Sequence, residues 1–432
     1  MSKFVAILKK RYKRIIRMKK FLVQFICLFV IMANTFIVEG AETHTEQSEN
    51  ATHNHDECSC HHEEKYDPGA SAFHHIADAN AFHLFGDYYL PLPCLLYSPG
   101  NGFTFLMSNA FDMHHHGSGT KAIDGYVMVH GSIMRVKQEG FPMDGEVEVS
   151  CYTEKEAADG KVTHQVVYKE KCYDLDKKTS YDGGIMGGGV TSFYDFGMTK
   201  NVFTMILAFL ILFFLFRKAA VSYITRKGQA PKGVQAVIEP LFEFIRNEVA
   251  IPFLGSKYEK YLPYLMSIFF FILGLNLIGQ LPFFPGSGNV TGNLSVTLVL
   301  AVIAALITNF SGNKNYWQHV FNMPGVPLPI KFILTPVELL GLFIKPMTLM
   351  LRLFANITAG HIVIIIFVSL IFIFGQAGEN LGGSILGGVM AVPLTLFMMA
   401  IELLVAFVQA FVFCILTASY IGAAIEEHHE HH

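Results

Sequence analysis

Apolar and polar positions are unevenly distributed along this chain. A basic stretch containing Lys9, Lys10, Arg11, Lys13, Arg14, Arg17, Lys19 and Lys20 precedes a first apolar run, Phe21 to Val38. Residues 41–65 are polar. Between 70 and 196, short runs alternate or stay apolar between turn residues: Gly125 to Val129, Gly145 to Val149, and Val162 to Tyr168. That pattern predicts strands, with a short helix near His74 to Phe85. From Thr199 the runs lengthen: Val202 to Phe216, Leu262 to Phe284, Leu294 to Phe310, Pro329 to Phe374 and Leu386 to Ile425. Each is read as a membrane span. The last two far exceed the ~20 residues that cross a bilayer, so they must tilt strongly or break. Gly233 to Ile251 mixes apolar residues with Glu239, Glu243, Arg246 and Glu248, and is expected to lie on the inner surface as an amphipathic helix. The fold class that follows is a mainly α, polytopic membrane protein with about five retained transmembrane helices and a small β-rich module outside the membrane.

Composition supports this division. Of 432 residues, 52% are hydrophobic and only 16% charged, the charges falling mostly outside the apolar runs. A net charge of −3 without a basic stripe gives no reason to expect nucleic acid. Residues 1–40 read as a signal peptide, with Val38-Glu39-Gly40 before Ala41 as the cleavage site. Residues 41–69 form a His-rich linker, 70–196 a periplasmic β-rich module, 197–427 the membrane domain and 428–432 a His-rich tail. Gly183-Gly184 and Gly187-Gly188-Gly189 read as a hinge before the first span. Arg217-Lys218, Arg226-Lys227 and Lys232 place the inner end of that span in the cytoplasm, which sets the module outside and the C-terminus inside.

Seven cysteines occur, five of them (Cys58, Cys60, Cys94, Cys151 and Cys172) in the exported region. Cys151 and Cys172 lie on neighbouring strand-like runs and are the favoured disulfide pair. Cys58-Ser59-Cys60-His61-His62 offers donors for zinc or copper, as do His114 to His116 and the terminal His residues. All three read first as solvated segments. No metal or other cofactor is expected.

The long runs carry the chemistry. Arg352 sits among Leu351, Leu353 and Phe354, midway along the fourth span. A charge at that depth costs roughly 2.5–3.5 kcal/mol on insertion scales, and Arg cannot shed its proton to escape it. Such a residue faces protein or water, and usually handles ions. Glu338, fourteen residues earlier, falls on the same helix face, and Asn356 follows one turn later. His361 points to the opposite side. The last span carries Glu402 and Gln409, seven apart on one face.

The run Leu351-Arg352-Leu353-Phe354-Ala355-Asn356 resembles subunit a of the F-type ATP synthase. Ala359-Gly360-His361, Thr335-Pro336-Val337-Glu338, Lys345-Pro346, and Glu402 with Gln409-Ala410-Phe411-Val412-Phe413 extend the match. Upstream, Asn276, Leu281-Pro282 and Asn293-Leu294-Ser295-Val296-Thr297-Leu298 also fit, so the resemblance covers about residues 197–427. It implies a stator that carries protons (or sodium ions) through two half-channels to and from a ring of c subunits. Arg352 would face the ring, Glu402 and His361 feed the outer half-channel, Glu338 line the inner one, and Asn356 and Gln409 hold water near Arg352. Lys345 either lines a channel or snorkels to the inner surface. The implied partners are the c-subunit ring, peripheral-stalk b subunits, other synthase subunits and membrane lipid. Many bacterial members carry Glu at the position of His361 and His at that of Glu402. Here the two types are exchanged, which keeps one carboxylate and one imidazole in reach of each other.

Two other readings predict different features. A secondary transporter would show internal repeats and broken paired helices, and no repeat is visible. A β-domain merely anchored by helices would not need so many ionisable and polar groups in its spans. No nucleotide-binding Gly-rich loop is present, so the chain is expected to serve an ATP-driven or ATP-forming machine without a nucleotide site of its own.

Overall fold

The computed structural model describes residues 77–426 apart from 86–87, 100, 115–116, 138–139, 157–161, 180–190, 227–228, 282–287, 322–326 and 377–379. The signal-like start, the His-rich linker with Cys58 and Cys60, the polyglycine hinge and the His-rich tail lie outside the described residues.

Strands fill 81–195. A seven-stranded antiparallel sheet has the order β10 (Glu146–Glu148), β7 (Lys121–Ile123), β8 (Tyr126–Val129), β9 (Ser132–Val136), β13 (Lys171–Asp176), β12 (Val162–Tyr168), β11 (Cys151–Glu156). A three-stranded sheet joins β14 (Tyr194–Asp195), β3 (Pro93–Ser98) and β4 (Gly102–Met107), β1 (Ala81–Phe85) pairs with β2 (Tyr88–Pro91), and β5 (Met113–His114) pairs with β6 (Ser118–Gly119). β1 occupies the place where a helix was expected. The chain there pairs with β2, Ala81 opposite Pro91 and Phe82 opposite Leu90, so its backbone groups find partners in a ladder. Two apolar cores form, one around Val127, Val166 and Tyr173, the other around Phe111, Tyr126 and Phe193.

Cys151 and Cys172 are both disulfide-bonded, but not to each other. Val167 on β12 pairs with Cys151 on one side and Cys172 on the other. The two cysteines therefore stand two strand spacings apart, about 9.5 Å, beyond the ~7 Å Cα separation that a disulfide tolerates. Cys94 and Cys414 are free, so the bonding partners lie outside the described residues. Two strand-like runs near each other in sequence need not be adjacent in the sheet.

Among the described residues, five helices are long and apolar enough to cross a membrane. α1 (Lys200–Thr225) runs through Arg217-Lys218 rather than stopping there, and Thr199 caps its start by accepting from Val202 N. α2 (Val234–Phe244) passes through a π-helical turn (Ile245–Ala250) and α3 (Ile251–Leu254) to α4 (Tyr258–Gly279). The segment expected on the surface is thus the first part of a nearly continuous helical run, Val234–Gly279, the most buried of the five. α4 ends at Gly279, ahead of Pro282, shorter than the apolar run suggested. α5 (Leu294–Ser311), α6 (Lys314–Phe321), α7 (Leu328–Phe374) and α8 (Leu381–Ile425) follow. α7 holds Pro336 and Pro346, and α8 Pro393, without breaking. At 1.5 Å per residue each is roughly 70 Å long, over twice a ~30 Å hydrocarbon core, so both must lie oblique to it. Glycines and alanines let them approach: Ala406, Ala410 and Ala418 are fully buried, and a Cβ at Gly387 would meet Leu370 O at 2.8 Å.

Candidate functional site

Three polar groupings are strung along α7. The first lies where α7 meets α4 and α8. His361 places Nδ1 3.5 Å from Glu402 Oε1, an ion-pair distance longer than a well-formed hydrogen bond. Its other ring nitrogen lies 3.0 Å from Gly279 O. A carbonyl only accepts, so Nε2 carries a proton there, which leaves Nδ1 to accept from or donate to the carboxyl as protons arrive and leave. Glu402 is buried. Gly360 packs against it so closely that a Cβ would run into Oε1. Asn276 on α4 donates to Ala406 O at 3.2 Å, and its own oxygen, like the Gln280 amide nitrogen, is buried without a partner among the described residues. Unpaired buried amides in such a place are suited to water or a passing proton carrier.

The second grouping is Arg352 with Asn356 and Gln409. Arg352 and Asn356 are exposed, whereas Leu353 and Ile357 beside them are buried. The Asn356 amide donates to Gln409 Oε1 at 2.8 Å. Arg352 makes no ion pair among the described residues. On the same side of α7 the exposed residues Ala355 and Ala359 are apolar, as is Leu351 beside it.

The third grouping lies on the side of Glu338, about 21 Å from Arg352 along the helix axis. A small recess near it is lined by Thr308, Asn309, Tyr316, Lys345 and Tyr420. Tyr316 donates to Asn309 Oδ1 at 3.1 Å. Burial, then the charge of Glu338, raises the Tyr316 phenol above its usual range. The Lys345 ammonium sits 5.7 Å from the centre of the Tyr420 ring, a cation–π contact rather than free snorkelling. Pro346 has no N–H, so the Leu342 carbonyl in the recess wall lacks its helical donor.

The six residues singled out from sequence therefore divide into His361–Glu402, Arg352–Asn356–Gln409, and Glu338 alone. Sequence reasoning overlooked Gln280, Asn309, Tyr316 and Tyr420 and gave Asn276 no role. The signal for Asn276 and Gln280 was there: two amides one turn apart on an apolar helix share a face. No group of three or more metal-ligating side chains occurs among the described residues.

Residues 202–422 match the family model of the ATP synthase A chain, and residues 71–175 match that of a domain of unknown function. ATP synthase subunit a 2 of Chlorobaculum tepidum is 42% identical over 244 residues, 55% of this chain and 66% of the relative. ATP synthase subunit a 2 of Prosthecochloris aestuarii is 42% identical over 244 residues, covering 55% and 72%. ATP synthase subunit a of Anaeromyxobacter dehalogenans is 40% identical over 247 residues, covering 55% and 60%. The chain thus spans roughly two thirds of the length of these relatives. Neither a secondary transporter nor an anchored interaction module is favoured by these likenesses. With the matched region holding all five membrane helices and all three polar groupings, the chain belongs to the ATP synthase A chain family, subunit a of the F-type enzyme.

Proposed function

We propose that this chain carries protons between two aqueous half-channels and the carboxylates of a rotating c-subunit ring. The observation that carries the proposal is the placement of Arg352: exposed on an open apolar face, with one polar grouping above it and another below. His361 and Glu402 exchange protons at one half-channel, and Glu338 does so at the other. A ring carboxylate passing Arg352 is held ionised by the fixed guanidinium. The same charge repels protons and prevents direct passage between the half-channels. A charge leaking through 100 mV would waste ~2.3 kcal/mol. The exposed face of α7 and α8 is the surface offered to the ring. Peripheral-stalk b subunits and the other synthase subunits are further partners. The β module lies on the periplasmic side of a bacterial inner membrane and the C-terminus in the cytoplasm, supported by Arg217-Lys218 at the far end of α1.

Arg352→Ala in the assembled synthase tests the reading. Proton-driven ATP synthesis should be lost while the soluble head still hydrolyses ATP. Arg352→Lys should rescue poorly, since an ammonium lacks the planar fork and sheds its proton when desolvated. Normal synthesis by the Ala variant would refute the assignment.

A further inference from the structure

The hairpin of β3 and β4 has two unlike faces. Cys94, Leu96 and Ser98 point into the module and are fully buried. On the other face Phe103 pairs with Tyr97, Phe105 with Leu95, and Met107 with Pro93. Phe103 is 70% exposed, Phe105 67%, Met107 39% and Leu95 36%. Tyr97 packs at a tilt against Phe103 with ring centres 4.7 Å apart, and Tyr194 on β14 extends the patch. Neither strand holds a charged residue. An antiparallel sheet with one face in water normally alternates apolar-in with polar-out. This one is apolar on both faces, so its outer face is built for a nonpolar surrounding.

The location of that face is set by hydrogen bonds to the membrane helix. After β14 the chain continues beside β3, Phe196 N donating to Leu95 O and Met198 N to Pro93 O, both at 2.8 Å. α1 begins two residues later, at Lys200. The module is fastened there: Lys200 N donates to Ala79 O at 2.8 Å, Asn201 N to Asp78 Oδ1 at 3.1 Å, and Phe82 packs edge-on against Phe203 at 5.3 Å. Along the strand direction Met107 is level with Met198, about 7 Å short of the helix start, and Phe105 is level with Phe196, about 13 Å short, both standing two strands to the side, roughly 9.5 Å away. The patch is thus held at the level where the bilayer gives way to water, and its Tyr and Phe are the residue types that favour that zone.

We propose that the outer face of β3 and β4, centred on Phe103, Phe105 and Met107, beds into the headgroup–acyl boundary of the leaflet in which α1 begins. The module then rests on lipid beside the helix bundle instead of standing clear in water. This goes beyond the proton-carrying reading and requires only that α1 span the membrane.

Site-directed spin labelling tests it in the assembled synthase reconstituted into phosphatidylcholine liposomes, with reactive cysteines removed from the other subunits. A nitroxide is attached at Phe105→Cys, and at Phe103→Cys should the first variant assemble poorly. Collisions with dissolved oxygen should exceed those with a water-soluble nickel chelate, giving an accessibility ratio above unity. The same label at Lys171→Cys, on the charged sheet, should give the reverse. A chelate-dominated signal at Phe105 would place the patch in water and overturn the proposal. Shielding from both reagents would show a protein covering it, and would overturn it equally.

Discussion

Asn356 and Gln409 are joined across the two long helices by a 2.8 Å hydrogen bond one turn from Arg352. Gln409 is buried and Asn356 exposed, so the bond ties the open face to the interior of the helix pair. It sets the register of α7 against α8 where the guanidinium is displayed. A double-mutant cycle with Asn356→Ala and Gln409→Ala should give a coupling of about 0.5–1.5 kcal/mol in thermal stability of the purified complex. Each single variant should also slow proton-driven synthesis. Strict additivity would mean that the bond contributes nothing to the register.

Gly360 is expected to tolerate no side chain. A Cβ there meets the Glu402 carboxylate, and overpacking of that kind costs about 1–3 kcal/mol. Gly360→Ala should lower passive proton conduction through membranes stripped of the soluble head. Glu402→Asp in the same chain, shorter by one methylene, should restore part of it. Unchanged conduction in Gly360→Ala would show that the carboxylate has room to move.

His361 and Glu402 should behave as one unit. His361→Ala and Glu402→Ala should each slow synthesis. The native pair stands 3.5 Å apart, and the exchange His361→Glu with Glu402→His keeps one imidazole and one carboxyl facing each other. It should recover much of what His361→Glu alone loses. An exchange no better than the product of its single variants would separate the two roles.

Cys94 is free yet should be inert. Burial first, then the charge of Asp195, pushes its thiol up to about 12, and the thiolate is the reactive form. Iodoacetamide at pH 8 should leave Cys94 unmodified in the folded chain and alkylate it after denaturation, read by peptide mass spectrometry. Rapid labelling of the native protein would mean that the strand opens readily.

The membrane helices were legible because lipid demands long, predominantly apolar runs, and α7 and α8 meet that demand with only scattered polar residues. The face assigned to Glu338 and Arg352 is a reading of helical periodicity alone. Residues that work through distant packing were harder to see. Asn276 meets the Ala406 carbonyl 130 positions away, and no local pattern announces that contact. The Cys151–Cys172 pairing failed for a related reason: strand order decides which runs are neighbours, and β12 comes between them. The helix expected near His74 became β1 because β2 supplied a ladder that local propensity could not foresee.

Arg352 also bears on how the subunit is handled before assembly. A newly inserted copy shows, on one face, a guanidinium and an amide among exposed Leu and Ala residues. In hydrocarbon that face is unfavourable by several kcal/mol, whereas an opposing carboxylate would relieve it. The unassembled chain is therefore the unstable one, exposed to membrane proteases and biased towards capture by its partner. One fixed charge makes completeness of the machine a condition for the survival of its part.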